Sequence, residues 1–210
     1  MQSQYYEASV RAGQQYQQTN KVWSGTDAKK YAHLIADLVQ HYQARSMLDY
    51  GCGKGFQYQT AVEWPTDMPE VYTHPMTFDQ RISVESVYLY DPCVIGLDSP
   101  PQPDEDFDCV ICTQVLGSIP DDDLYWVIDD LMTWTRKFCF IGLIDPKVHV
   151  VKSNKTSIYD PQAFKAVRTR SWYRDIVRKW EGSDLYLYFK GSEPNSKDWF
   201  VGNAIRRDKE

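Results

Sequence analysis

A loop with glycine at three alternate positions is the part of this sequence best suited to binding a cofactor. It begins at Asp49, continues through Gly51, Gly53 and Gly55, and follows a predicted strand at residues 46–50. Glycine carries no side chain, so the backbone can turn tightly and a ligand can approach it closely. A strand that leads into such a turn and then into a helix is the usual arrangement of a nucleotide-type cofactor site. We therefore expect cofactor binding here, although an ordinary glycine-rich turn has the same composition.

The spacing of this glycine loop does not fit two other well-known patterns. A dinucleotide fingerprint requires a third glycine three residues after the second, and Phe56 occupies that position. A phosphate-binding loop of the P-loop type requires Ser or Thr after its lysine, whereas Gly55 follows Lys54. The pattern that remains is an acidic residue followed by three alternate glycines.

Length and charge limit the class of protein further. The chain has 210 residues, which favours one domain with a substantial core, and its net charge is −6. A globally basic surface for nucleic acid is therefore not expected. The sequence has no apolar run of the roughly 18–20 residues that span a membrane. The first residues show no basic-then-apolar signal pattern, so we expect a cytoplasmic protein without a membrane partner.

The cysteines do not predict a metal site. Their number is odd and their spacing irregular: Cys52, Cys93, Cys109, Cys112 and Cys139. The closest pair, Cys109 and Cys112, would lie on opposite faces of a strand because the two residues are three positions apart. Free, buried thiols in a reducing compartment are the expected state.

Alternating strands and helices are predicted around the glycine loop. Helices are expected from Thr26 or Asp27, which would cap the first turn, after the loop, from Pro120, and in the second half of 161–180. The predicted strands are 46–50, 86–90, a weak one at 93–97, 107–112, 138–144, 184–189 and 199–205. Prolines between residues 61 and 80 predict that the helix after the loop is short or replaced by an irregular excursion. Residues 1–25 are predicted to be an N-terminal arm or lid, and 26–210 the main domain.

These elements predict an α/β fold of the doubly wound, Rossmann-like type. Strands that alternate with helices form a mostly parallel sheet with helices on both faces. The last two strands lack an intervening helix, so one of them should be antiparallel. We expect about seven strands, with an abbreviated third-strand region and an antiparallel last strand.

Most of residues 26–205 resembles the class I S-adenosylmethionine-dependent methyltransferases. The stretch from Asp49 to Gly55 is similar to their first motif, and Asp91 follows the second strand, where the family keeps an acidic residue. Asp108 with residues 110–116 is similar to the fourth-strand motif. The resemblance implies seven strands, the last inserted antiparallel, and S-adenosyl-L-methionine as cofactor.

The resemblance also implies roles for individual residues. The glycines would approach the amino-acid part of the cofactor, Asp49 would help to hold its ammonium group, and Asp91 would accept hydrogen bonds from the ribose hydroxyls. The cofactor-binding residues implied in this way are Asp49, Gly51, Cys52, Gly53, Gly55, Asp91, Pro92, Thr113, Gln114 and Val115. The family's activity is methyl transfer, here expected on a small-molecule acceptor.

Two departures from the family pattern affect these expectations. The segment between Asp91 and Asp108 is too short for a helix and a full third strand, an abbreviation that resembles short members from phages and bacteria. The adenine-binding residue is therefore not defined, and Asp98 is the nearest candidate. After the fourth strand many small-molecule members read Leu-Glu-His, whereas residues 116–118 here are Leu-Gly-Ser.

The acceptor side is less defined than the cofactor side. The catalytic candidates are His149 and Asp145, each of which is also compatible with an ordinary surface role. Other polar or aromatic residues that could meet a substrate are His74, Tyr6, Trp23, Trp172 and Tyr173.

Three other functions remain open on the sequence alone. One is an RNA or DNA methyltransferase that binds nucleic acid through the basic stretch at 165–179, which contains Trp172 and Tyr173; the same stretch could instead be a solvated helix face. An enzyme that consumes the cofactor without methylating an acceptor would have the same loop. So would a non-catalytic cofactor-binding protein.

Overall fold

The computed structural model describes residues 4–19, 24–61, 76–144, 168–180, 183–190 and 199–202. Its helices are α1 (Gln4–Thr19), α2 (Ala32–Tyr42), α3 (Phe56–Gln59), α4 (Phe78–Ile82), α5 (Asp121–Thr133) and α6 (Arg170–Val177). Its strands are β1 (Ser46–Tyr50), β2 (Ser86–Tyr90), β3 (Phe107–Thr113), β4 (Thr135–Ile144), β5 (Leu185–Lys190) and β6 (Trp199–Gly202). None of the helices among these residues is long and apolar enough to cross a membrane.

All six strands form one sheet in the order β2-β1-β3-β4-β5-β6. The first five strands are parallel to one another. The prediction of an α/β protein with a mostly parallel, Rossmann-like sheet between helices is confirmed.

The last strand lies at the edge of this sheet. β6 pairs antiparallel with β5, and Leu187 is opposite Val201. β4 pairs directly with β5 in parallel, with Ile141 opposite Leu187, so no strand lies between them. This arrangement differs from the inserted last strand that the family resemblance implies.

The predicted weak strand at 93–97 is wrong, because this segment forms a closed series of turns. The Asp91 amide donates to the Leu97 carbonyl over 2.8 Å, and the Leu97 amide donates to the Val94 carbonyl over 2.9 Å. Gly96 has φ +89°, a left-handed conformation that does not continue a strand. β2 therefore has β1 as its partner in the sheet, and the region of a third strand is abbreviated.

Both faces of the sheet are covered, which explains the continuous apolar runs of its strands. Alternate residues point to opposite sides, so Leu48 and Val110 pack in the core under α5, and Met47 and Ile111 pack in the core under α2. β3 is buried along its whole length. The central strands β1 and β3 thus hold their loops on a rigid base.

The helix ends follow the predicted signals in part. Pro120 precedes α5, as predicted, and three aspartates occupy the first turn of this helix. Near residue 26 the chain instead forms a 3-10 turn at Ala28–Tyr31 before α2, and the Asp27 side chain makes no capping hydrogen bond, so the predicted cap is wrong. α3 has only four residues, which agrees with the short helix expected after the loop. Within the predicted arm, residues 4–19 form α1.

Candidate functional site

The predicted cofactor residues meet at the carboxyl ends of β1, β2 and β3. In the sheet, β2 lies on one side of β1 and β3 lies on the other side. The direction in which strands are added therefore reverses between β1 and β3. Ligands of open α/β sheets bind at such a reversal. Gly51 and Val115 touch here, since a Cβ on Gly51 would lie 2.1 Å from a Val115 methyl group.

The glycine loop has a backbone that other residues adopt only with strain. Gly51, Gly53 and Gly55 have φ of +79°, +56° and +64°. The Gly51 and Cys52 amides both donate to the Tyr90 carbonyl, over 2.7 and 3.2 Å, which ties the loop to the end of β2. The shape of the loop therefore requires glycine at all three alternate positions.

A segment that the sequence reasoning missed lies against this loop. The Phe56 amide donates to the Ser24 carbonyl over 3.0 Å, and the Gln57 amide donates to the Gly25 carbonyl over 3.3 Å. Gly25 has φ +73°, and a Cβ there would lie 2.0 Å from the Cys52 carbonyl oxygen. The chain before α2 thus supports the loop from the outside. A glycine after Ser24 was the only available signal, and it does not indicate a partner so distant in sequence.

Asp91 supports the loop through its carboxylate. One oxygen accepts from the Gly53 amide and the other from the Cys93 amide, each over 2.8 Å. The side chain is only 8% exposed, and burial raises the pKa of Asp91 against the lowering effect of these two hydrogen bonds. A carboxylate has about four acceptor positions, so two are left for a ligand. Its proposed contact with ribose stays a prediction.

Asp49 is a buried carboxyl group without a cationic partner. It is 2% exposed. One of its oxygens, Oδ2, accepts from the Tyr58 hydroxyl over 2.8 Å and from the side-chain amide nitrogen of Gln57, Nε2, over 3.2 Å. Burial, with the nearby charge of Asp91, raises the pKa of Asp49 to about 7. No lysine, arginine or histidine in the described ranges pairs with it. A bound cation would relieve this unfavourable burial.

The loop after β3 combines a strained residue with a fixed side chain. Gln114 has φ +64°, and its amide donates to the Gly142 carbonyl over 2.8 Å. Its side chain donates to the hydroxyl of Tyr31, which is fully buried. Thr113 is also buried, at the end of β3. The side chain of Gln114 is thus anchored in the core, and the backbone of Gln114 and Val115 faces the reversal point.

Helix α1 lies over the ends of β1 and β2. The Tyr6 and Tyr50 hydroxyls are 3.4 Å apart, and the Tyr6 ring packs edge-on against Trp126 at 4.9 Å between centroids. The Gln14 side chain donates to the Pro92 carbonyl over 2.9 Å. The predicted arm therefore contacts the loop that carries two of the candidate cofactor residues.

Other sequence candidates lie apart from this site or outside the described residues. Trp172 and Tyr173 pack on α6, with the Tyr173 ring 5.7 Å from Phe189. Asp98 is exposed and accepts from the Gly96 amide over 3.0 Å. Four candidates lie outside the described residues: His149, Asp145, His74 and Trp23.

Part of the basic stretch at 165–179 is paired within the protein. Lys179 contacts Asp129 over 2.8 Å, and Arg178 contacts Asp175 over 3.1 Å. Arg168 is only 7% exposed and does not face solvent. These pairs neutralise part of the positive charge that a phosphate backbone would contact, while Arg174 stays exposed.

Arg168 instead fixes the chain between β3 and α5. Its guanidinium donates to the Leu116 carbonyl over 2.6 Å, to the Ile119 carbonyl, and to the Asp121 carboxylate over 2.7 Å. It also lies 4.9 Å from the centre of the Trp172 ring. The sequence reasoning missed this role, because a run of basic residues does not show which member is buried.

Replacing Arg168 by Ala should lower the free energy of unfolding by about 2–4 kcal/mol, since two carbonyl groups and a carboxylate lose their donor. Urea unfolding followed by circular dichroism measures this change. Arg174→Ala, at an exposed position on α6, the helix that follows Arg168, is the matched control. Equal small effects of the two substitutions would contradict the buried role of Arg168.

The thiols are not arranged around a metal. All five cysteines are free, and four are buried, with Cys93 partly exposed. In the part of the chain that the structure describes, no group of three or more His, Cys, Asp or Glu side chains is placed to hold a metal ion.

Comparison with known proteins gives no further guide. No protein-family model, no curated protein and no solved structure matches this chain. A function must therefore be inferred from the glycine loop, its two buried carboxyl groups and the position of all three at the reversal of strand order.

Proposed function

We propose that this chain is an S-adenosylmethionine-dependent methyltransferase of the class I type, acting on a small-molecule acceptor. The observation that carries the proposal is the glycine loop between two buried carboxyl groups, Asp49 and Asp91, at the reversal of strand order. The cofactor has an ammonium group at one end and a ribose diol near the other. A carboxylate can pair with an ammonium group, as proposed for Asp49, and can accept hydrogen bonds from a diol, as proposed for Asp91.

The residues present fit this cofactor. Asp49 lacks a cation in the described ranges, and an ammonium group would supply one. A side chain at Gly51 would collide with Val115, so glycine keeps the loop packed against the segment after β3, and Asp91 keeps two acceptor positions for hydroxyl groups. When bound, the cofactor supplies an activated methyl group on a sulfonium centre. The protein's part is to bind the cofactor, orient it and exclude water.

The finer fold assignment also belongs to this proposal. A seventh strand, as in the family, would have to come from residues outside the described ranges. The edge position of β6 is a departure that a short member of the family would have to tolerate. The reversal of strand order is also found in dinucleotide-binding folds, whose sheet has one more strand beyond β2, so a dinucleotide is the appropriate control ligand.

A small acceptor is preferred over nucleic acid because of charge. The net charge is −6, and the basic residues Arg168, Arg178 and Lys179 are paired with acidic groups of the same chain. We also propose a cytoplasmic location, because free cysteines are typical of proteins in a reducing compartment.

Calorimetric titration with S-adenosylmethionine, S-adenosylhomocysteine and NAD⁺ tests the proposal, followed by mass spectrometry of the cofactor without an acceptor. Micromolar binding of the two adenosyl ligands but not NAD⁺, with intact cofactor, is the expected result. Rapid loss of cofactor would instead indicate a cofactor-consuming enzyme. Binding of NAD⁺ alone, or of none of the three, would overturn the proposal.

Replacing Asp91 by Ala should weaken S-adenosylhomocysteine binding by about 1–3 kcal/mol, since the ribose hydroxyls and the Gly53 amide lose an acceptor. Calorimetry measures the change, and thermal melting shows whether the variant is folded. Asp104→Ala, at an exposed turn before β3, is the control. An unchanged dissociation constant in the Asp91 variant would contradict its assigned contact.

A further inference from the structure

We propose that Gln57 selects for a primary ammonium group at the site that the proposed function assigns to Asp49, and that its side-chain oxygen accepts a hydrogen bond from that group. This inference rests on the proposed function and deepens it. It adds a residue, Gln57, that neither the sequence motif nor the family resemblance assigns, and it predicts how the site selects its ligand.

The first support is an unused acceptor beside the buried carboxyl group. Gln57 is 1% exposed, and its amide nitrogen donates to Asp49. Its amide oxygen, Oε1, has no hydrogen-bond partner among the residues that the structure describes. A buried polar atom left without a partner is rare in folded proteins and usually marks the place of a water, an ion or a ligand group.

The second support is the one-sided bonding of Asp49. Both of its donors, Gln57 and Tyr58, bond to the same oxygen, Oδ2. Within the described ranges no donor reaches the other oxygen, Oδ1. Asp49 and Gln57, whose side chains meet through a 3.2 Å hydrogen bond, therefore each keep one acceptor atom without a donor. An ammonium group, which has three donors and no acceptor, is the complementary partner.

The third support is the set of charges around Asp49. The groups that face it are Tyr58 on α3, Asp91 after β2, and the thiols of Cys52 and Cys112. None of them is a cation, and ionisation of Asp91 adds a second negative charge. Without a ligand, these surroundings favour the protonated form of Asp49. A ligand's ammonium group beside Asp49 would favour the carboxylate form. The balance is carboxylic acid plus ammonium ligand giving a carboxylate–ammonium pair plus one proton released to the buffer.

Two ligands that differ only in the ammonium group provide the test. One is S-adenosylhomocysteine and the other is its desamino analogue, which keeps the adenosine, the thioether and the carboxylate. The wild-type chain should bind the desamino analogue about 10- to 100-fold more weakly, the loss expected for a charge-assisted hydrogen bond. Gln57→Leu should reduce this discrimination about tenfold by weakening S-adenosylhomocysteine while leaving the desamino analogue unchanged.

Proton release is the second readout, and it does not depend on any variant folding. Titrations at about pH 6 in buffers of different ionisation enthalpy should show close to one proton released per S-adenosylhomocysteine bound, and close to none at about pH 8. The desamino analogue should release none at either pH.

The outcomes separate this inference from the proposed function. If the wild-type chain binds neither ligand, the proposed function fails and the inference falls with it. If it binds both ligands equally, or binds without releasing a proton, the ammonium subsite is wrong and the cofactor assignment stands. If Gln57→Leu weakens both ligands by the same factor, Gln57 supports the fold and does not contact the ammonium.

Discussion

Replacing Gly25 by Ala is expected to be the most destabilising single substitution near the site, at about 3–5 kcal/mol. The new Cβ would lie 2.0 Å from the Cys52 carbonyl oxygen and 2.5 Å from the Gly55 amide nitrogen. Both are backbone atoms of the glycine loop, so no side chain can rotate away. The segment would have to separate from the loop, and the Phe56 and Gln57 amides would lose their acceptors. Cofactor affinity should fall with stability.

Gly96→Ala is the matched control for this substitution. Gly96 has φ +89°, close to the +73° of Gly25, but a Cβ there would meet nothing within 4 Å. It therefore carries the same backbone strain, about 1–2 kcal/mol, without the steric clash. Thermal melting and denaturant titration of the two variants give the difference. If both variants lose the same stability, the close contact between Gly25 and the loop is incorrect.

The second large effect has two opposite parts: Asp49→Asn should stabilise the ligand-free protein and abolish tight cofactor binding. The native pKa of about 7 lies above the ordinary value of 3.8, so between these pH values the folded state holds a proton that the unfolded chain has lost. Wild-type stability therefore falls as the pH rises through this window, and the whole penalty is present above about pH 7. Asn carries no charge to bury, and its amide can donate to Gln57. We expect a gain of about 1–3 kcal/mol at about pH 8.

The measurement is the free energy of unfolding of both proteins across pH, without ligand. The difference between them should grow from about pH 4 to about pH 7 and then stay constant. Asp108→Asn is the control with the opposite sign. Burial raises the pKa of Asp108, but the hydrogen bond from the Arg45 amide and the charges of Lys137 and Arg136 outweigh it, so the net pKa is lowered. Its loss should destabilise the protein at neutral pH. A destabilised Asp49→Asn protein at about pH 8 would contradict the uncompensated burial of this carboxyl group.

The strands were predictable because the sheet is covered on both faces. β1 and β2 have the predicted bounds, and the apolar runs of β3 and β4 come from burial on both sides. The turns at 93–97 were not predictable in this way. Val94, Ile95 and Leu97 read as a short strand, yet the bonds around Asp91 close the segment on itself, and Ile95 is left exposed.

The site was predictable where its signal is local and was missed where it is not. Three alternate glycines identified the loop, and the strand ends identified Asp91 and Val115. The contact between Gly25 and Cys52, the pairing of Gln57 with Asp49 and the burial of Arg168 depend on chain segments that meet only in the folded state. A sequence pattern records the type of these residues but not their neighbours.

The strand order has a consequence for how the chain reaches its fold during synthesis. Ser46 of β1 pairs with Ser86 on one side, and Met47 pairs with Cys109 on the other. Both partners are made well after β1, and closing such long loops costs entropy before the contacts compensate it. β3 in turn pairs with β4, which is made later still. The first hundred or so residues should therefore leave the ribosome as an incomplete sheet with exposed strand edges, and the nascent chain should be vulnerable to aggregation until β3 and β4 emerge.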